Sequence, residues 1–327
     1  MNTLVLLGPQ GPQPDIAQVL AAHGVKGKVA LVRAGYQERE SDDAEMSASL
    51  GVPAVNLELH RRGVEVFRED KELTAAYKVR QQRLRHMQQF YRIRLEKIED
   101  AARTVAVRFV DNELLAQEEK VSVDQFRHLD ADHIERCNAL HAAFARQWRP
   151  SERPAVAKHR QELRALMDDC AALVIAGGHV ASLLNRLVLF DLLALVDKRP
   201  VFAWSAGAMV LTDRIVLFHD YPPYGSDIAQ VLDAGLGKAP GIVVLPDPKR
   251  RVNLAQRTGI QRFARRMAPA TCVAMDRGHR IEYASGNLVD ATAMRLETSG
   301  SVEINWQGAP SRFSSPSLRW LAKDVPQ

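Results

Sequence analysis

Residues 201–211, VFAWSAGAMVL, constrain the fold more than any other stretch of this chain. Four apolar residues run into Ser205, and the next three, Ala206, Gly207 and Ala208, carry almost no side chain. A buried strand that turns abruptly into a helix leaves this signature, because the corner is tight and only small neighbours fit around it. One hydroxyl then stands at the bend, over the first N–H groups of the helix. Those groups lack intrahelical partners and can hold an anion or a developing oxyanion. The same window also fits a buried strand followed by an ordinary helix with Ser205 as its N-cap. The window alone leaves both readings open.

A chain of 327 residues can hold one large α/β domain or two smaller ones. With 46% hydrophobic and 25% charged residues it reads as a water-soluble globular protein, and no apolar run nears the roughly 20 residues that span a bilayer. The N-terminal residues, MNTLVLLGPQG, lack a basic region and a small-residue cleavage site and read as a first core strand. Three widely spaced cysteines (Cys137, Cys170, Cys272) suggest buried thiols in a reducing compartment, so the cytoplasm is the expected location. Nothing in the spacing of Cys, His or acidic residues suggests a metal, and no motif suggests an organic cofactor.

The net charge of +5 is unevenly spread: residues 78–108 hold nine Lys or Arg and three acids. Such a stripe attracts acidic partners. Without a nucleic-acid-binding signature beside it, a solvated helix face is the simpler reading.

Short apolar runs at 3–7 and 28–33 flank a Gly/Pro turn and a helix-like segment at 15–23, which makes a βαβ unit with a parallel strand pair. A second helix-like stretch, 42–50, leads to a third strand within 52–59. From about 69 to 164 the period changes. Leu84, Met87, Tyr91, Leu95, Ile98 and Ala102 recur at helical spacing, as do Ile134, Leu140, Phe144 and Trp148. This block reads as a helical hairpin or small bundle inserted between residues 1–68 and 165–290 of an α/β core. The pattern then resumes with a strand at 172–176 ending in Gly177-Gly178, an apolar helix at 180–196, and a strand at 200–204 that feeds Ser205. Further strands are expected at 241–245 and 271–275, with short strands and loops in a tail from 291 to 327.

Three separated pieces line up: AGGH at 176–179, FAWSAGAM at 202–209, and YQERESDD at 36–43. Together they resemble the serine peptidase family that includes dipeptidase E and cyanophycinase, over roughly residues 1–68 and 165–290. The resemblance implies an α/β fold with a mostly parallel, doubly wound sheet like that of the class I glutamine amidotransferases. It implies Ser205 as nucleophile, with the Gly178 and Ala206 N–H groups as the oxyanion hole. Asp220 matches an aspartate implicated in catalysis in dipeptidase E, and a loop aspartate before Pro222-Pro223 is its plainer reading.

One position departs from the pattern. The family's histidine falls, in the segment GIVVLPDPKRR, at Asp247. A serine hydroxyl needs a base within hydrogen-bond reach, and a carboxylate is a weaker base than an imidazole near neutral pH. His219, beside Asp220, and His179, after the diglycine, are the nearest alternatives in sequence, and His279 is a more distant one. Asp276 stands where the family carries an aspartate, but Arg277 takes the place of the acid expected near it. Gly177, His179, Lys249 and Arg250, with Arg251, would line the substrate pocket, since open α/β folds bind ligands at the C-terminal ends of their strands. A solvated turn is the other reading of the three basic residues.

Two functional expectations follow. One is a serine peptidase-like hydrolase acting on a small peptide or amide bond. The other is a catalytically impaired relative that keeps the corner and pocket as a binding or scaffold module. In either case the helical block would serve as a lid, a platform for a protein partner or a homo-oligomer surface. A glutamine amidotransferase is the poorer reading, because that chemistry uses a cysteine at the corner and none of the three cysteines occupies such a turn.

Overall fold

The alternation of buried apolar runs with amphipathic segments resolves into a twisted mixed sheet wrapped in helices. The structure is a computed structural model that describes residues 3–218 and 228–306. The first unit is β1 (Thr3–Leu7), α1 (Ile16–Ala22), β2 (Val29–Val32), α2 (Ala44–Ser49) and β3 (Ala54–Asn56). Four helices follow: α3 (Leu59–Glu69), α4 (Lys71–Ala106), α5 (Asn112–Trp148) and α6 (Pro154–Asp168). The chain then returns through β4 (Ala172–Ile175), α7 (Val180–Leu189), β5 (Val201–Trp204) and α8 (Ala206–Leu211). A hairpin of β6 (Arg214–Leu217) and β7 (Gln230–Ala234) leads to β8 (Ile242–Pro246), α9 (Pro248–Arg251), α10 (Arg257–Met267) and β9 (Thr271–Met275). Three strands close the described chain: β10 (Arg280–Ala284), β11 (Asn287–Leu296) and β12 (Val302–Trp306).

Among the described residues one sheet runs in the order β3-β2-β4-β5-β1-β10-β11-β9-β8, with β12 paired to β11. The five strands from β3 to β1 are mutually parallel, as are β8 and β9, while the pairings made by β10 and β11 are antiparallel. The expected mostly parallel α/β fold is therefore the observed one. Alternation along the strands sends residues to opposite faces. Leu4, Leu6, Ala30, Val32, Leu173, Ile175, Val201 and Ala203 join the core under α3 to α8, whereas Val5, Leu7, Leu31, Val174 and Phe202 pack against α1 and the region of α2. A sheet buried on both faces is what continuous apolar strands require.

The expected boundary at residue 69 falls at the junction of α3 and α4, and the inserted block is dominated by one long antiparallel hairpin, α4 with α5. Both helices open with an aspartate N-cap. Asp70 accepts from the Leu73 N–H and Asp111 from the Leu114 N–H, each at 2.9 Å. Tyr91 on α4, Asp130 on α5 and Arg266 on α10 meet in the interior. The Arg266 guanidinium donates to both Asp130 oxygens and to the Tyr91 hydroxyl, which donates in turn to Asp130. The Val231 N–H also donates to the Tyr91 hydroxyl, at 3.0 Å, so the hairpin is fastened to β7. Of the basic stripe, Lys78, Arg83, Arg85, Arg92 and Arg94 face solvent, whereas Arg80 is buried against the Tyr77 and Phe144 rings.

Two segments depart from expectation. The apolar helix after the diglycine ends at Leu189, because Asp191 takes a left-handed conformation (φ 44°) and a short 3-10 turn follows. Beyond residue 286 the chain forms the ten-residue strand β11, which pairs with β10 in its first half and with β9 and β12 in its second. The three cysteines are buried free thiols. Among the described residues no helix is long and apolar enough to cross a membrane.

Candidate active site

Strands β2, β4 and β5 lie side by side and parallel, so their C-terminal ends open on one edge of the sheet. The chain leaves β5 at Ser205, whose backbone sits at φ 52° and ψ −123°. That left-handed φ is a sparsely populated state for a residue with a side chain and costs about 1–3 kcal/mol. An ordinary N-cap serine has extended φ/ψ and accepts a hydrogen bond from the first turn. Ser205 does neither, and its Oγ has no hydrogen-bond partner among the described residues. The N-cap alternative is therefore the poorer account of this serine.

The neighbours explain why the corner can be so sharp. A side chain on Gly207 would put its Cβ 2.4 Å from the Ile175 carbonyl oxygen, so α8 can lie this close to the end of β4 only with glycine there. A Cβ on Gly177 would lie 2.9 Å from the Ser205 Cβ, which brings the diglycine directly alongside the hydroxyl. Gly178 has φ 102°, and a Cβ there would sit 2.4 Å from the Gly35 carbonyl carbon. Ser205, Gly177, Gly178 and Ala206 are thus gathered in one place. Neither the Gly178 nor the Ala206 N–H has an acceptor among the described residues. Ser205 itself is half-buried and open to solvent.

The far side of the diglycine is built by the turn after β2. The His179 N–H donates to the Gly35 carbonyl at 2.7 Å. Arg33 is buried and donates to the Glu40 carbonyl at 2.8 Å, while the Glu40 carboxylate accepts the His60 and Arg61 N–H groups at the start of α3. Burial pushes the Glu40 carboxyl above its usual range, against the pull of those two bonds. Within this turn Gln37 has φ 56° and ψ −123°, nearly the dihedrals of Ser205. Its Nε2 donates to the Ser182 Oγ at 2.7 Å, and that hydroxyl lies 3.0 Å from the His179 Nδ1. Sequence reasoning gave no role to Ser182 or Gly35, and quoted Gln37 only as one residue of YQERESDD. The available signal was the Ala34-Gly35 pair just beyond β2, small residues at a strand end as at Ser205.

The remaining sequence candidates lie elsewhere or differently. His179 is exposed and caps α7, its Nδ1 accepting the Ser182 N–H at 3.2 Å. Asp247 follows β8 in a left-handed conformation (φ 57°), its nearest ionic neighbour Arg250 at 4.0 Å. Four strands separate β8 from β5 in the hydrogen-bonded order, although α8 packs against β8. No hydrogen bond joins Asp247 to Ser205 among the described residues. Lys249 pairs with Asp276 at 2.6 Å, and Arg250 is exposed. Burial raises the Asp276 carboxyl, but the bonds from Lys249 and the Arg277 N–H outweigh it and leave the group below its ordinary range. His279 belongs to the turn after β9, its Nδ1 accepting the Asp276 N–H at 3.0 Å. His219 and Asp220 lie outside the described residues.

No protein-family model matches the chain, and no curated protein sequence does. Among solved structures it is similar to the crystal structure of a peptidase from an acI-B1 Actinobacterium, with 15% identity over 91% of each chain and a TM-score of 0.45. It is also similar to a putative peptidase E protein from Listeria monocytogenes EGD-e, with 9% identity over 91% of this chain and 100% of that one, and a TM-score of 0.42.

Proposed function

We propose that this chain is a serine hydrolase of the dipeptidase E and cyanophycinase type, cleaving a small peptide or amide bond. Ser205 Oγ attacks the carbonyl carbon, and the oxygen that becomes negative is received by the N–H groups of Gly178 and Ala206. Two preset donors matter because each contributes about 2.7–4 kcal/mol of barrier reduction in enzymes of this chemistry. The serine proton passes to a base and then to the departing amine. The sequence offers His219 and Asp247 for that base, with Asp220 to orient it. The observation that carries this reading is the left-handed backbone at Ser205 together with its unengaged hydroxyl beside Gly177. Strained backbone of this kind clusters at active sites.

The test is labelling with a serine-reactive fluorophosphonate. Wild type is expected to label and Ser205→Ala to lose the label, and a wild type that stays unlabelled overturns the reading.

A second reading, a binding module that has lost catalysis, is favoured by Asp247 in the slot of the family's histidine. Asp247→His distinguishes the two. A rise in amide hydrolysis from nothing to a measurable rate supports the module, whereas an already active wild type rules it out.

A further inference from the structure

Gln37 and Ser205 stand on either side of the diglycine, at the ends of β2 and β5, in the same uncommon backbone state. Glutamine gains nothing locally from φ 56°. What the conformation achieves is the reach of its carboxamide to α7, where Nε2 meets the Ser182 Oγ at 2.7 Å. An amide NH2 group only donates, so the serine oxygen accepts and its own hydrogen is left for the His179 Nδ1 at 3.0 Å. The Ser182 N–H points at the same nitrogen from 3.2 Å. Two donors therefore converge on Nδ1, which accepts from both. The ring hydrogen of the neutral imidazole is then carried by Nε2, an atom with no partner among the described residues.

We infer that Gln37 is a positioning residue that, through Ser182, fixes His179 as an Nε2–H donor beside the Gly178 turn. The subsite it prepares takes a hydrogen-bond acceptor of the substrate, a carbonyl or carboxylate oxygen flanking the bond that Ser205 attacks. The same arrangement removes His179 from the candidates for the base, since its one unprotonated nitrogen is engaged away from Ser205. This use of the donor rests on the proposed role of Ser205, whereas the Gln37–Ser182–His179 relay itself does not.

The experiment uses the full chain with 15N-labelled histidine and reads the His179 ring by long-range 1H–15N spectra, the signal being assigned by its loss in His179→Gln. Wild type is expected to show an unprotonated Nδ1 and a protonated Nε2. Gln37→Glu reverses the polarity of the first link and draws the Ser182 hydroxyl hydrogen away. The Nδ1 resonance should shift as one accepted bond is lost, with the same shift in Ser182→Ala. A protonated Nδ1 in wild type, or a resonance indifferent to both substitutions, overturns the relay. Fluorophosphonate labelling of the same variants supplies the second arm. The rate at Ser205 should fall several-fold in Gln37→Glu, and an unchanged rate with a shifted ring overturns the positioning role. If wild type does not label, the proposal for Ser205 fails while the ring spectra still decide the relay.

Discussion

The corner at Ser205 and the mid-length anchor of the α4–α5 hairpin are built from opposite materials. At the corner the backbone does the work: Gly177, Gly178, Gly207 and Gly35 let strand ends approach so closely that a single Cβ would not fit. At the hairpin anchor side chains do it. Tyr91, Asp130 and Arg266 come from three helices and close a fully buried set of hydrogen bonds. A site made of main chain is intolerant of added atoms. An anchor made of side chains is intolerant of lost ones.

The largest effect that would break this contrast is at the anchor. Arg266→Met should leave Asp130 buried without its partner and cost about 3–5 kcal/mol. Urea unfolding measures it. Arg266→Met combined with Asp130→Leu should regain much of the loss, because a well-packed apolar pair avoids the burial of charge. At the corner, Gly207→Ala should cost about 2 kcal/mol by the same measurement, because its new methyl meets the Ile175 carbonyl. It should also abolish fluorophosphonate labelling, which the anchor variants leave intact wherever they remain folded. If Gly207→Ala labelled normally, the corner would not be as tight as its geometry states.

A smaller effect sharpens the comparison at the hairpin's entry. Asp70→Ala removes the α4 cap and should cost about 1 kcal/mol near neutral pH. The hydrogen bond from Arg153 holds the Asp70 carboxyl below its ordinary value of 3.8, with the Leu73 N–H adding to it and burial opposing. A depressed carboxyl gives stability that is complete above 3.8 and disappears as pH falls through the lower folded value. The difference between wild type and Asp70→Ala should therefore shrink on acidification below 3.8, as thermal unfolding in a pH series would record.

How much of this was legible in the chain depends on the same division. Strands β1 and β9 begin and end where their apolar runs do, because a strand buried on both faces needs every residue apolar. The corner was legible for the same reason, since small residues after a buried strand have few other uses. The end of α7 was not: Asp191 breaks the helix in a left-handed state that leaves no mark in hydrophobic periodicity. Gln37 was quoted within YQERESDD, but its role was invisible because glutamine has no preference for the conformation it holds. The anchor was invisible because its partners lie 39 and 136 residues apart. Tyr91 alone reads only as one more apolar position on a helix.

The hairpin is also held beyond that anchor, where Glu99 pairs with Arg262 and Glu119 with Arg265 at 3.7 Å. Val107, Phe109 and Val110 lie open to solvent at the bend between two helices of 36 and 37 residues. A bend whose apolar residues are exposed can be lengthened, shortened or given a foreign passenger without removing any of these contacts. That bend is the place where a fluorophore or a whole second domain could be spliced in between the two long helices.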